Sequence, residues 1–209
     1  MESNRKYSAG LMSQSFWFVE FRQYLRLKKE NISDDEIKRR ITEENLFGAP
    51  NECRAHRIGN YLSARAGRMS QEELVLFFAC DITSQKLINL ICIMRNDRLM
   101  FEFINEVYRE KVMLGAETID LSDGRAFFTE KEKQDDTVAG WQDKTKRRLI
   151  STYLNFMTDA RLLSMSARMP GNSKSGTRKI TIPLPDEALQ HHLETTGETT
   201  ILKAIMGVY

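Results

Sequence analysis

Apolar side chains recur every three or four residues along most of this chain, a spacing that is typical of amphipathic helices. The first clear segment places Trp17, Phe18, Phe21, Tyr24 and Leu25 on one helical face. Helix-breaking glycine and proline are scarce before residue 170, and three of the four prolines lie at or beyond it. The pattern predicts helices over residues 15–29, 33–45, 51–69, 70–79, 84–95, 98–114, 123–133, 141–160, 186–194 and 199–206.

Hydroxyl residues precede several of these segments and can accept a hydrogen bond from a free backbone N–H group. Ser33 with Glu36, and Ser70 with Glu73, have the spacing of a capping box. Thr83 is expected to cap the helix that follows it. These signals set the predicted starts of three helices.

Two short segments near the C-terminus are rich in β-forming residues, namely residues 162–165 and 179–182. Turn-forming residues fill the stretch between them, so the two segments are predicted to form a β-hairpin. The predicted fold class is mainly α, a multi-helix bundle with a C-terminal winged-helix-like element that carries one small β-hairpin.

An acidic stretch over residues 117–136 suggests where two parts of the chain could join. On this interpretation residues 1–115 form an N-terminal helical bundle, and residues 116–209 form a C-terminal winged-helix-like region. One continuous domain is the alternative.

The net charge of the chain is only +2, but its charges are unevenly distributed. Residues 141–182 contain nine basic and two acidic residues, a local charge of +7, so the remainder carries −5. A local excess of this size is typical of a surface that binds a polyanion.

A helix over residues 141–160 would gather its apolar side chains on one side and its polar side chains on the other. Before Asp159, every side chain on the polar side can donate a hydrogen bond to a phosphate or a base edge. Basic residues also crowd the helix start, where the helix dipole favours acids, which suggests an external anion. The candidate contacts are Lys144, Thr145, Lys146, Arg147, Arg148, Ser151, Thr152 and Asn155.

A helix followed by a hairpin with a basic tip is the order of a winged helix-turn-helix, whose helix enters the major groove. The hairpin adds four candidates, Arg168, Lys174, Arg178 and Lys179. We therefore predict binding to double-stranded DNA, mainly through phosphates, with Ser151 and Asn155 as candidate base readers. A solvated helix face beside a solvated loop is the alternative.

A second set of candidates for nucleic-acid binding lies on the helix predicted over residues 51–69. These side chains fall beside the apolar face of that helix and are Arg54, Arg57, Tyr61, Arg65 and Arg68. Such a stripe suits a phosphate backbone. Arginines that extend over the core and pair with nearby carboxylates are the preferred interpretation.

The sequence lacks the usual signals of catalysis or cofactor binding. It has no glycine-rich phosphate loop and no pair of cysteines at metal-binding spacing. His191 and His192 are adjacent and would point about 100° apart on a helix, which is unsuited to holding one metal ion. We therefore expect no enzyme activity, no cofactor and no metal. No apolar segment approaches the length of a membrane helix, so a cytoplasmic location without a membrane partner is expected.

Three stretches, in order, carry a family resemblance. The first is residues 7–11 (YSAGL) with the following helix, and the second is residues 43–47 (EENLF) with the helix after it. The third joins Trp141, residues 145–148 (TKRR) and residues 159–163 (DARLL). Together they resemble the BrxA family of bacterial BREX phage-exclusion systems. Ala160-Arg161 departs from the family pattern, in which a small residue, often glycine, precedes the paired leucines.

The resemblance implies a helical fold similar to that of the NusB antitermination factor. It implies a small subunit that binds double-stranded DNA and acts beside other BREX proteins, including a methyltransferase and large ATPase-type partners. Residues 144–148 would then belong to the element that contacts DNA.

Three other functions stay open on the residues alone. RNA could bind the arginine stripe, with a preference for single strands or loops. The basic face could dock an acidic surface of another defence protein. The chain could also repress its own operon, which would require strong sequence specificity.

Overall fold

The computed structural model describes residues 6–165 and 176–208 and is mainly helical. A short 3-10 turn (Gly10–Ser13) comes first. The helices of the first half are α1 (Phe18–Lys29), α2 (Asp34–Thr42), α3 (Glu52–Ala66), α4 (Gln71–Ala79), α5 (Ile82–Asn96), α6 (Arg98–Phe103) and α7 (Arg109–Met113). A π-helical turn (Ile104–Tyr108) joins α6 to α7, so one helical rod runs through all three segments.

The second half contains the short strands as well as helices. Its elements are β1 (Thr118–Ile119), α8 (Leu121–Gln134), α9 (Asp136–Ala139), α10 (Asp143–Asp159), β2 (Leu163–Met165), β3 (Arg178–Ile180), α11 (Glu187–Thr195) and α12 (Thr199–Met206). Each helix predicted from the sequence is present, with bounds shifted by up to three residues. The four-residue α9 was not predicted.

Local hydrogen bonds explain where the helix starts differ from prediction. Asp81, not Thr83, caps α5, because its carboxylate accepts the Ser84 backbone N–H at 2.7 Å. The first helix starts at Phe18, because Trp17 adopts a left-handed conformation with φ +47°. The periodic pattern had placed that start at residue 15.

The two predicted capping boxes are each half formed. Ser33 and Ser70 accept the backbone N–H groups of Glu36 and Glu73, as expected. The glutamate carboxylates bind arginines instead of reaching back, with Glu36 pairing Arg39 and Arg40 on the surface. The box is therefore only partly predictive, because a nearby guanidinium competes for the same carboxylate.

The small sheet has three strands rather than the single predicted hairpin. β2 and β3 pair antiparallel, with Ser164 opposite Lys179, so the hairpin itself is confirmed. β1 adds to the other edge of β3, with Thr118 opposite Lys179, and the strand order is β1-β3-β2. A two-residue strand is too short to show an alternating pattern, which is why the sequence did not reveal it.

The core runs through both halves of the chain. Along α5 nearly every residue is buried, including Leu87, Leu90 and Ile91, as befits a central helix. Buried side chains of α10, among them Tyr153 and Met157, belong to the same apolar cluster. The boundary near residue 115 stays a prediction. Within the described residues no helix is long and apolar enough to cross a membrane.

Candidate nucleic-acid interface

The apolar side of α10 fixes the direction of its polar face. Its buried residues are Leu149, Ile150, Tyr153, Leu154, Phe156 and Met157. Its exposed polar residues are Lys144, Arg147, Arg148, Ser151 and Asn155, with the acids Asp143 and Asp159 exposed at its two ends. The helix thus presents five of the eight predicted contacts directly to solvent.

Two close contacts hold α10 in place. A Cβ atom on Gly124 would lie 2.4 Å from Ile150 Cγ2, so α8 and α10 meet there with no room for a side chain. On another side, the Phe156 ring lies 5.8 Å from that of Phe16. The polar face therefore belongs to a helix that is packed on two sides.

Three bases on this face have no internal partner. Within the part of the chain that the structure describes, Lys144, Arg147 and Arg148 form no ion pair, and their side chains form no hydrogen bond. Cationic groups that are exposed and unpaired can bind an external anion without first breaking an internal contact. These three residues are the strongest candidates for phosphate contacts.

Lys146 has a different environment from its basic neighbours. Its ammonium group pairs with Glu132 on α8 and lies 3.3 Å from an Asp143 carboxylate oxygen. The hydrogen bond to Glu132 raises the pKa of Lys146. Its side chain is 14% exposed, and the adjacent Thr145 is half-buried. Lys146 therefore links α10 to α8 as well as adding positive charge.

The candidate base readers also differ from one another. Ser151 and Thr152 donate their hydroxyl hydrogens to the carbonyls of Arg147 and Arg148, at 3.0 and 2.9 Å. Asn155 is exposed, and its amide makes no hydrogen bond to the described residues. Since an amide offers both donors and an acceptor, Asn155 is the better candidate for reading a base edge.

Among its described residues, the hairpin contributes one clearly exposed base. Lys179 on β3 is exposed, whereas Arg178 is half-buried and donates to the Thr177 carbonyl at 3.4 Å. Arg161, at the turn from α10 into β2, is exposed and adopts φ +68°, the conformation that favours glycine. Arg168 and Lys174, which were predicted to contact DNA, lie outside the described residues.

On α3, one member of the predicted arginine stripe is not a surface residue. Arg65 is only 2% exposed, and its guanidinium donates to the Phe16 carbonyl at 2.7 Å and the Ser15 carbonyl at 2.8 Å. Burial lowers the pKa of Arg65 to about 10, so it stays charged at neutral pH. We therefore remove Arg65 from the candidate surface.

The other four residues of the stripe also divide into those with internal hydrogen bonds and those without them. Tyr61 shares a 2.7 Å hydrogen bond with Ser13, and Arg68 donates to the Arg95 carbonyl at 3.2 Å. The Arg54 guanidinium lies 5.3 Å from the centre of the Trp17 ring. Arg57 is exposed and makes no side-chain contact with the described residues that would neutralise it. Arg54 and Arg57 are the stripe residues that remain candidates.

Metal binding finds no support in the described residues, where no group of three or more His, Cys, Asp or Glu side chains could hold an ion. Among the three cysteines, Cys53 is exposed and Cys80 and Cys92 are buried. All three are free thiols.

Fold and site together define a mainly helical protein that presents a basic helix beside a small three-stranded sheet. Residues 5–197 match the family model of BrxA, so this chain belongs to the BrxA family, as its sequence motifs indicated. The "BREX protein BrxA" of Bacillus cereus (strain H3081.97) is 28% identical over 207 residues, which cover 99% of this chain and 100% of that protein.

A solved structure shares the fold. The crystal structure of an uncharacterized protein from Magnetospirillum magneticum matches with a TM-score of 0.76 and 15% identity, covering 97% of this chain and 100% of that one. At this identity the likeness concerns the fold, and it supports the mainly helical bundle.

Proposed function

We propose that this protein is a non-catalytic, double-stranded-DNA-binding accessory protein of a bacterial BREX phage-defence system. The observation that carries the DNA-binding part is the exposed face of α10, where Lys144, Arg147 and Arg148 have no side-chain partner among residues 6–165 and 176–208. The defence part rests on membership of the BrxA family and on similarity to the BREX protein BrxA of Bacillus cereus.

The order of elements around α10 supports a winged-helix-like mode of binding. From β1 to β3 the chain runs strand, three helices and a hairpin, and β3 pairs with both other strands. In a winged helix-turn-helix the recognition helix enters the major groove and is followed by such a hairpin. α10 would take the place of the recognition helix, and Lys179 would approach the backbone from the hairpin.

The mechanism is mainly electrostatic. Each base that neutralises a phosphate releases condensed counterions, so affinity falls as salt rises. With ~6 phosphates engaged, the logarithm of affinity should fall with the logarithm of salt at a slope near −5. Phosphate contacts position the protein without reading sequence, so any base preference would depend mainly on Asn155.

Binding to three labelled nucleic acids tests this proposal: a 30-base-pair duplex, the matching single-stranded DNA and the matching RNA. Fluorescence anisotropy is measured on the wild type and on the triple variant Lys144→Ala/Arg147→Ala/Arg148→Ala. We expect the wild type to prefer the duplex and the triple variant to lose that binding. All three residues are exposed, so the fold should survive, which circular dichroism can check.

Two other results would redirect the function. Equal or better RNA binding that the triple variant retains would favour an RNA-binding role elsewhere on the surface. No binding to any of the three at physiological salt would overturn the DNA proposal and favour an adaptor that docks another defence protein.

The defence role has its own test. In a host that carries the complete BREX system, phage plaque counts are compared between the wild type and the triple variant at equal protein levels. We expect the variant to lose protection. Full protection by the variant would separate DNA binding by α10 from defence.

A further inference from the structure

The N-terminal segment of the chain lies between α3 and α10. Ser13, at the end of the 3-10 turn, shares a 2.7 Å hydrogen bond with Tyr61 of α3. Three residues later, the Phe16 ring lies 5.8 Å from Phe156 of α10. One short segment therefore contacts both helices, although those helices are about 90 residues apart in sequence.

Buried hydrogen bonds fix this segment to α3. The Arg65 guanidinium donates to the carbonyls of Ser15 and Phe16 and, at 3.1 Å, to the side chain of Gln14. Asn89 of α5 donates to the same Phe16 carbonyl at 2.9 Å. A buried charge with several partners is costly to displace, so the segment is held rigidly.

Strain at the end of the segment places an aromatic ring beside α3. Trp17 adopts φ +47°, which for a bulky residue costs roughly 1–3 kcal/mol and persists only where surrounding contacts enforce it. Its ring stacks on Tyr61 at 5.9 Å, and the Arg54 guanidinium lies over it at 5.3 Å. Arg54 is thereby held at the surface by a cation–π contact that leaves its N–H donors free for other partners.

The basic face of α10 borders the same segment. On a helical wheel Phe156, which contacts Phe16, is separated by about 80° from Arg148 and by about 40° from Thr152. The side of α10 that meets the segment is therefore adjacent to its exposed basic face. Across the segment, α3 presents the half-exposed Arg54 and the exposed Arg57.

We propose that Arg54 and Arg57 bind the phosphate backbone of the same DNA duplex that α10 engages, so that one basic track runs from α10 across the N-terminal segment to α3. This inference rests on the proposed function, because it extends the DNA site of α10. The track makes the footprint on DNA longer than a single recognition helix would give, and the added contacts are to phosphates, which carry no sequence information.

One acidic residue lies beside the α3 part of the track. Glu52 shares a shallow surface depression with Arg57. Because a carboxylate near the DNA backbone repels phosphate, Glu52→Gln should raise duplex affinity while Arg57→Ala lowers it. Opposite signs at neighbouring exposed positions distinguish an electrostatic contact from a general loss of fold.

The salt dependence of duplex binding gives the quantitative test. Loss of two phosphate contacts should reduce the magnitude of the slope of log affinity against log salt by about 1.8. Arg54→Ala/Arg57→Ala should therefore show this reduction, relative to the wild type, on a 30-base-pair duplex. Lys203→Ala on α12 is the single-charge control for Arg57→Ala and should leave the slope unchanged. An unchanged slope in the double variant would overturn the track.

Cys53 gives an independent test of whether both surfaces contact one duplex. It is the exposed cysteine on α3, adjacent to Arg54, whereas Cys80 and Cys92 are buried. A DNA-cleaving iron chelate attached to Cys53 should cut the bound duplex at a defined distance from the cuts made by a chelate on Gln142→Cys, an exposed position at the start of α10, in a Cys53→Ser background. Absence of cuts from Cys53 while the Gln142→Cys protein cuts would refute the track and leave the α10 site intact. Absence of cuts from both, together with a triple variant that binds normally, would instead refute the proposed function.

Discussion

Arg95 lies near the end of α5 with 8% of its side chain exposed, and it holds two carboxylates from distant helices. One of its terminal nitrogens lies 2.8 Å from Glu73 of α4, and the guanidinium also forms two bonds to Glu198 beside α12. Glu73 is 2% exposed in its side chain, so Arg95 rather than water compensates its carboxylate. The cluster connects the first helices to the last ones.

Removal of Arg95 should be strongly destabilising. Arg95→Met leaves the Glu73 carboxylate buried without its cation, which costs about 3–5 kcal/mol of unfolding free energy. Glu198→Gln should cost less, because Glu198 is 26% exposed and Arg95 keeps Glu73. Urea denaturation measures both, and Arg95→Met/Glu73→Met should recover much of the loss. A change below about 1 kcal/mol in Arg95→Met would show that the cluster does not stabilise the fold.

A second residue-scale prediction concerns pH. Asp97 is buried, and its carboxylate accepts the Met100 backbone N–H at 2.8 Å. Burial raises the pKa of Asp97 from 3.8 to about 6, although backbone N–H groups oppose the shift. The folded protein therefore holds this proton more tightly than the unfolded chain does. The contribution of Asp97 to stability is full well below its unfolded pKa of 3.8 and is lost as pH rises through its folded pKa of about 6.

Asp97→Asn removes this titration while keeping an oxygen that caps α6. Relative to the variant, the wild type should lose about 2 kcal/mol of unfolding free energy between pH 4 and pH 6. Thermal or urea unfolding of both proteins across this range provides the measurement. Parallel stability curves would mean that Asp97 titrates normally in the folded state.

At the scale of elements, the crossing of α8 and α10 sets the position of the candidate interface. Gly124→Ala would bring a methyl group within 2.4 Å of Ile150 Cγ2. We expect a loss of roughly 1–3 kcal/mol by overpacking, despite the higher helix propensity of alanine, and weaker duplex binding as α10 shifts. Gly140→Ala is the control, because its Cβ would meet only ordinary contacts of 3.4 Å or more. Equal stability of Gly124→Ala and the wild type would contradict this packing.

The elements themselves were largely predictable, and the exceptions have local causes. Residues 141–160 contain a strong apolar pattern, so α10 and its exposed face followed from helical periodicity alone. β1 is defined by pairing with β3, which lies about 60 residues further on, and no local pattern marks it. The cap of α5 moved from Thr83 to Asp81 because either residue can supply the accepting oxygen.

Site residues were predictable from the sequence only where the position of a residue around its helix decides whether its side chain is exposed. Arg65 sits on the same stripe of α3 as Arg54 and Arg57, and nothing in the local sequence separates them. Its burial depends on a segment about 50 residues earlier that folds over its guanidinium. Likewise, the pairing of Lys146 with Glu132 requires the α8–α10 crossing, which periodicity does not specify.

For the whole molecule, the net charge is close to zero, but positive and negative charges are concentrated in different parts of the sequence. The charge of +7 over residues 141–182 is opposed by −5 elsewhere. Such an arrangement orients the protein towards a polyanion and speeds encounter at low salt, while the acidic remainder limits unspecific adhesion. We therefore expect DNA binding that is oriented, weakly sequence-specific and strongly dependent on salt.

The most direct test is the salt dependence of duplex binding by the wild type and by Lys144→Ala/Arg147→Ala/Arg148→Ala. Log affinity is measured against log salt with a 30-base-pair duplex. We expect a slope near −5 for the wild type and a slope reduced in magnitude by about 2.7 for the triple variant, because three phosphate contacts are lost. Identical slopes for the two proteins, or a wild-type slope near zero, would contradict the assignment of the DNA contact to α10.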